Sequence, residues 1–392
     1  MAEPAGAESL RRRNAAAVLR SLRYDGPASR AEIAARTGLA KATVGTIVAG
    51  LEQVGAVADL AQVRSGERGR PGQRLTLAGG RQVGIGLEAN VEYVAAVVLD
   101  LAGEVRHRVT RPVRDVAQVQ RALAGVAREV AKWARSAGAV PIGAAVAVPG
   151  LIAEDDRTVA WTPNLKITGT GMADAVDAAF GWTDRVRVSN DADCGALAEL
   201  HHGAGRGSAH MLYLTGTVGI GAGLVDEGRL VRGARGFAGE VGHLPIGEAD
   251  APCGCGRTGC WEASVGLHAL LAAVGMDELS TPDETAVAVS RAASEDPRVR
   301  AGVTHVGRWL GRGLAVVTGV LDPEVIVLGG YFAPLGDLIL GPAGAELDAT
   351  LAARVQARPE LRLGALGTES AALGAAERAL GEVYADGLDL AG

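Results

Sequence analysis

Glu240-Val241-Gly242-His243, nine further residues, then Cys253-Gly254-Cys255-Gly256-Arg257-Thr258-Gly259-Cys260-Trp261-Glu262: the rest of the chain is read outward from this stretch. Three of the four cysteines fall within eight positions, with a histidine just upstream. Thiolates this close, spaced by glycines, fit the ligand set of one tetrahedral zinc ion held by His243, Cys253, Cys255 and Cys260. Four protein ligands leave no position for an activated water, so the ion is expected to be structural. The simpler reading makes His243 a buried core histidine, and the three thiols beside it weigh against that. If one ring nitrogen of His243 binds metal, the other is free to reach a carboxylate or a ligand hydroxyl. Cys194 stands apart and reads as an ordinary buried thiol.

At 392 residues the chain is long enough for two or three domains, each with its own core. Its 48% hydrophobic and 21% charged content excludes a disordered chain. The charge is uneven: residues 1–78 carry 12 Lys and Arg against 7 Asp and Glu, net +5, and the remainder carries 27 against 38, net −11. A basic first segment on an acidic body suggests a nucleic-acid-binding module joined to a domain with other work, although a solvated basic face would give the same balance. Residues 1–10 lack the apolar core of a signal peptide, and no run approaches the roughly 20 apolar residues of a membrane span. The expectation is a cytoplasmic protein with no membrane partner, where reduced thiols favour metal over disulfides.

Residues 1–78 read as a winged helix-turn-helix. Ala15, Val18, Leu19 and Leu22 recur at helical spacing, and Asp25-Gly26-Pro27 ends that helix. Ser29-Arg30-Ala31-Glu32 has the capping-box pattern of a second helix. Thr37-Gly38-Leu39 is a tight turn, and Val44, Ile47, Val48 and Leu51 mark a third helix. In a helix-turn-helix the first residues of that helix enter the major groove, which directs Lys41, Thr43 and Thr46 toward double-stranded operator DNA. Val57 to Val63 and Gln73 to Leu77 read as wing strands around the basic, glycine-rich loop 64–72. Arg68, Arg70 and Arg74 suit phosphate contacts or a narrow minor groove. A three-helix packing module without DNA contact is the competing reading.

From Val83 the period changes to two, giving three antiparallel strands around Val83–Leu87, Val94–Leu99 and Val105–Val109. A helix over 117–136 and an apolar strand from Ile142 to Val148 follow, stopped by Pro149-Gly150. A short strand at Val186 and Val188 ends at Asn190-Asp191, where a helix begins that runs through Glu199. Met211 to Leu214 and Ile220 to Val225 read as strands around Thr215-Gly216-Thr217. Strands followed by alternating helices and strands predict an α/β domain over 79–392.

At the cysteine cluster the chain resembles the ROK family (repressors, open reading frames, kinases), whose signature is Glu-x-Gly-His followed by Cys-x-Cys-Gly-x-x-Gly-Cys-x-Glu. The resemblance spans nearly the whole chain, including the winged helix of the family's regulators. It implies a two-lobed, actin-like sugar-kinase fold of the ribonuclease H-like kind. Lobe one would be about 79–190 plus the C-terminal helix, and lobe two about 191–370. It implies that Asn164 contacts sugar, and that Asn190 and Asp191 match the family's Asn-Asp pair, whose Asp is the base in kinases. Glu240, His243 and Glu262 match residues that hold sugar hydroxyls. Each hydroxyl both donates and accepts, so converging carboxylates and amides suit such a ligand. Simpler readings stand beside these roles: Asn190 as a helix cap, and Glu262 as a first-turn charge.

ROK kinases carry Asp-x-Gly-Gly-Thr in the first hairpin, for phosphate. Here the matching positions run Gly86-Leu87-Glu88-Ala89-Asn90, with side chains in the turn and a repelling carboxylate at Glu88. Gly216-Thr217-Val218-Gly219-Ile220-Gly221 still resembles the family's second phosphate loop. The chain therefore reads as a sugar-responsive transcriptional regulator, a repressor, working as a homodimer or dimer of dimers and answering a sugar or sugar phosphate. The alternative is an ATP-dependent sugar kinase with an attached DNA-binding domain.

Overall fold

The structure, a computed structural model, describes residues 6–60, 74–217, 219–351 and 358–387. The amino-terminal periodicities form α1 (Ala7–Tyr24), α2 (Arg30–Thr37) and α3 (Lys41–Gln53). Ser29 caps α2 in a complete capping box, its amide donating to Glu32 Oε2 at 2.7 Å. Gly38 ends α2 at a left-handed φ of 72°, the turn between the two helices. Strands β1 (Ala28–Ser29), β2 (Val57–Asp59) and β3 (Arg74–Leu77) form a small sheet with β3 in the middle. The basic loop, with Arg68 and Arg70, lies outside the described residues.

The body begins with β4 (Gln82–Ala89), β5 (Tyr93–Asp100) and β6 (Val105–Pro112), an antiparallel meander. The helix α4 (Val119–Ala137) leads to β7 (Val140–Val148), parallel to β4. A hairpin of β8 (Leu151–Ile152) and β9 (Val159–Trp161), then α5 (Gly171–Phe180), leads to β10 (Arg187–Asn190), parallel to β7. The sheet order is β10-β7-β4-β5-β6. All eight residues of β4 are buried, as a central strand covered on both faces requires.

The second lobe repeats the plan. After α6 (Asp191–His202) comes the meander β11 (Met211–Gly216), β12 (Ile220–Asp226) and β13 (Arg229–Val231). The helices α7 (Glu262–Val265), α8 (Leu267–Val274), α9 (Pro282–Glu295) and α10 (Pro297–Leu321) precede β14 (Val325–Gly330), parallel to β11. After α11 (Phe332–Leu335) and α12 (Asp337–Thr350), β15 (Glu360–Leu363) extends the sheet to β13-β12-β11-β14-β15. The last helix is α13 (Ser370–Asp386).

Each sheet buries its outer face under helices, α4 and α5 in one lobe and α8, α9, α10 and α12 in the other. Between the sheets lie α6 and α13. Their approach depends on missing side chains: a Cβ on Gly86 would stand 1.9 Å from the Ala372 carbonyl oxygen, and one on Gly374 would stand 1.7 Å from that of Cys194. Cys194 is fully buried there, and burial pushes its thiol up. The helix-turn-helix is not a separate bead. Its core residues Leu19, Ile33 and Val48 belong to one apolar cluster with Val97 and Leu99 of β5 and Leu380 of α13. No helix among the described residues is long and apolar enough to cross a membrane.

Candidate functional site

The loop between β13 and α7 folds His243, Cys253, Cys255 and Cys260 together, with their ligand atoms all within 4.8 Å of one another. Cys253 turns back on itself, its amide taking the Arg257 carbonyl at 2.8 Å and its carbonyl the Gly256 amide at 3.0 Å. Gly256 holds that turn at a φ of 86°, which disfavours any other residue. Cys255 Sγ and Cys260 Sγ stand 3.7 Å apart, as do Cys253 Sγ and His243 Nδ1. That is too long for a disulfide and close to the ~3.8 Å edge of a tetrahedron with ~2.3 Å metal–sulfur bonds. All four cysteines are free. Hydrogen bonds from Arg257 hold the Cys255 thiol down to about 6, toward the thiolate a metal needs. The cluster can hold a metal ion.

The same loop forms one wall of a cleft between the lobes, enclosing about 120 Å³. All six residues expected to hold sugar line it: Asn164, Asn190, Asp191, Glu240, His243 and Glu262. With His243 Nδ1 on the thiolate side, Nε2 is the nitrogen available to the cleft. Asn190 does what its simpler reading required, accepting from the amides of Ala192 at 2.8 Å and Asp193 at 3.1 Å to cap α6. Its Nδ2 donates to the Gly150 carbonyl at 3.1 Å, so capping and cleft lining go together. Glu262 makes no cap bond; its Oε2 accepts from the Ile220 amide at 2.9 Å, and its Oε1 lies 3.6 Å from Cys253 Sγ. It ties the loop after β11 to the cysteine cluster. Gly219 must lack a side chain for this, because a Cβ there would meet Glu262 Oε2 at 2.5 Å.

Asp191 sits on the cleft floor, its Oδ1 accepting from the Ala192 amide at 3.0 Å. It is half-buried. Burial, opposed by backbone amides and helped by the charge of Glu240, pushes its carboxyl up to about 6. Glu240 is also raised, by burial against the pull of His243 and by the charge of Glu262. Asp156 in the β8–β9 hairpin joins the lobes at the rim: it pairs with Arg232, which follows β13, and with Arg378 of α13 at 2.7 Å.

Sequence reasoning passed over Trp161. It lines the cleft with 47% of its surface exposed, an apolar ring open to solvent three residues before Asn164. A tryptophan in an otherwise aromatic-poor chain was the available signal. The expected phosphate hairpin is also placed differently. Glu88 and Ala89 were expected in the turn, but both are buried strand residues of β4, and the turn begins at Asn90. β4 runs two residues past the expected Leu87 and takes Glu88 and Ala89 into the sheet.

In the amino-terminal module Lys41 and Thr46 are exposed and Thr43 half-buried, all in the first two turns of α3. Thr46 Oγ1 also donates to the Ala42 carbonyl at 3.2 Å. Arg74, expected to suit phosphate contacts, is exposed; one nitrogen of its guanidinium donates to the Pro27 carbonyl and braces the corner between β1 and β3.

Residues 84–382 match the ROK family, and residues 13–60 match the IclR helix-turn-helix domain. The chain is 29% identical over 348 residues to the xylose repressor of Caldicellulosiruptor bescii, covering 84% of this chain and 86% of that protein. It is 31% identical over 248 residues to a glucokinase of Halalkalibacterium halodurans, covering 59% of this chain and 74% of that enzyme. Its fold is similar to that of a ROK family transcriptional regulator, homolog of the E. coli MLC protein, with a TM-score of 0.81 at 22% identity, covering 97% of this chain and 98% of the other.

Proposed function

The chain belongs to the ROK family, and we propose that it is a sugar-responsive, DNA-binding transcriptional repressor of the cytoplasm and not a working sugar kinase. The observation that carries this reading is the single apolar core joining the helix-turn-helix to the sheet and helix behind the cleft. A DNA-binding module fused this way feels a change in the body.

In this reading a sugar or sugar phosphate bridges the lobes. Asn164, Asn190 and Asp191 take hydroxyls from one side, and Glu240, His243 and Glu262 take them from the other. Trp161 covers an apolar face of the sugar ring. Zinc on His243, Cys253, Cys255 and Cys260 is structural and fixes the ring of His243 so that Nε2 addresses the ligand. Closure acts through α6. That helix starts at Asp191 and ends at His202, whose Nε2 bonds Glu377 of α13 at 2.6 Å. Glu377 also pairs with Arg23 of α1. Moving α6 therefore shifts the seat of the helix-turn-helix, and operator affinity changes by the ligand's differential affinity for the two arrangements. A homodimer presents two copies of α3 to a palindromic operator, with Lys41, Thr43 and Thr46 in the groove and Arg68, Arg70 and Arg74 near phosphates.

Two features support the loss of phosphoryl transfer. Gly86 replaces the acid of the kinase pattern, and a side chain there has no room beside Ala372. Glu88 replaces a glycine with a carboxylate, which repels phosphates. The glucokinase relative and the raised Asp191, matched to the base of kinase members, favour the second reading, a kinase with an attached DNA-binding domain. One paired experiment decides. Fluorescence anisotropy on DNA from upstream of the chain's own gene is expected to change when xylose, glucose or N-acetylglucosamine is added, while the same sugars with ATP give no turnover in a coupled assay. Operator affinity unaffected by every sugar overturns the repressor; steady turnover overturns the loss of kinase activity.

A further inference from the structure

Beside the sugar cleft lies a second interlobe cavity, of about 450 Å³, which shares Asp191 with it and has Glu88 in its wall. Cys255 lines neither space. It is exposed, on a turn between Gly254 and Gly256. A Cβ built on either glycine would meet nothing within 4 Å, so the space on both sides of Cys255 is open and small solutes can reach its sulfur. Cys260 Sγ stands 3.7 Å from Cys255 Sγ, and Cys260 is 1% exposed beside the fully buried Trp261.

One member of this pair is therefore open and the other is held by packing. The sulfurs need to close from 3.7 Å to about 2.05 Å to bond. The flanking glycines give the turn at Cys255 the backbone freedom to make that move. Cys253 is turned elsewhere, with its Sγ 3.7 Å from His243 Nδ1 and 3.6 Å from Glu262 Oε1. Cys194 is fully buried, against α13. An accessible sulfur with a second sulfur in reach is the arrangement of a peroxide-reactive thiol and its resolving partner.

We propose that Cys255 and Cys260 are a redox pair that a hydroperoxide closes into a disulfide, dismantling the metal clamp. A metal-binding sulfur is a thiolate, and the thiolate is the nucleophile. Cys255 Sγ attacks the terminal oxygen of the hydroperoxide. The O–O bond breaks, and the alkoxide or hydroxide leaves and takes a proton from solvent. Cys255 is then a sulfenic acid. Cys260 Sγ attacks Cys255 Sγ, the S–O bond breaks, and hydroxide leaves as water. The two sulfurs give up two electrons and the hydroperoxide takes them. His243 and Cys253 are left as half of a four-ligand set, too few to keep the ion. The disulfide rests neither on the sugar reading nor on the metal; only the release of zinc rests on the metal reading.

The test treats the full-length, zinc-loaded protein with hydrogen peroxide, quenches with catalase and alkylates. Untreated protein with the same chelator is the blank. Release of one zinc per chain to a colorimetric chelator is expected, with two of the four thiols lost to alkylation. Peptide mapping is expected to join Cys255 to Cys260, and the melting temperature to fall. Dithiothreitol with added zinc is expected to restore all three, and Cys194→Ser to behave as wild type. In Cys260→Ser the sulfenic acid has no resolving partner and is expected to be trapped on Cys255 by dimedone. Zinc and thiols both retained, zinc lost without a disulfide, a disulfide formed with zinc retained, or a disulfide through Cys194 or Cys253 overturns the proposal. If the purified chain carries no zinc, the presence or absence of the Cys255–Cys260 disulfide alone decides.

Discussion

Asp191 concentrates the residue-scale chemistry. It stands at the first turn of α6, on the floor shared by both interlobe cavities. Its carboxyl is raised to about 6 and that of Glu88 to about 7, both chiefly by burial. Raised carboxyls mean that the folded chain binds these protons more tightly than the unfolded chain. Their stabilising contribution is complete below the unfolded values near 4 and is lost as the pH rises through about 6 to 7. Asp191→Asn is therefore expected to narrow the difference between melting temperatures at pH 5 and pH 8, read by thermal denaturation. A slope equal to wild type contradicts the burial of that charge. The same variant is expected to lose about tenfold or more in sugar affinity while binding operator normally without sugar. The identities of Asn164, Asp191 and Glu240 were legible through the motif. The raised carboxyls were not, because burial between two lobes is a property of no local window. Trp161 was missed for the same reason: its exposure to the cleft depends on a hairpin whose partner lobe lies far along the chain.

At the scale of elements, the loop between β13 and α7 has almost no regular structure: a single 3₁₀ turn covers Val241–His243. It is held by its own turns and, in the reading above, by zinc. Metal binding and folding of such a loop are one process. Cys255→Ser is expected to lose the bound zinc, measured by elemental analysis, and to lower the melting temperature. It is also expected to weaken the sugar response by freeing His243. Full zinc content in that variant would refute the ligand set. This element was the most legible in the chain, because its ligands lie within 18 positions. The hairpin of β4 and β5 was less so. Gly86 stands where the kinase pattern has its acid, and in the fold its bare backbone also lets α13 lie against the sheet.

For the whole molecule, the connection between body and DNA-binding module passes through Glu377. It is 5% exposed and receives Arg23 of α1 and His202 of α6. Burial alone would raise its carboxyl, but the His202 hydrogen bond and the Arg23 charge outweigh it and hold it below the usual range. A depressed carboxyl stabilises the fold above its unfolded value and loses that contribution as the pH falls through its folded value. Glu377→Gln leaves Arg23 without its charge partner and is expected to cost about 3 kcal/mol. Urea denaturation measures that loss, and operator titration is expected to show a smaller sugar response. Unaltered stability together with an unaltered response would remove Glu377 from the connection.

By itself the sequence determined the elements whose signals are local: the capping box at Ser29, the periodic faces of α1 and α3, the alternation of β4 to β6, and the cysteine cluster. Each rests on residues a few positions apart, where backbone geometry fixes what faces what. Only the tertiary structure decided the rest. It set α6 and α13 between the two sheets and merged the helix-turn-helix core with β5 and α13. It buried Glu88 beside a second cavity and brought Arg74 to the Pro27 carbonyl. These outcomes come from packing between segments up to hundreds of positions apart, where the space left by one glycine or filled by one helix sets the environment of a charge.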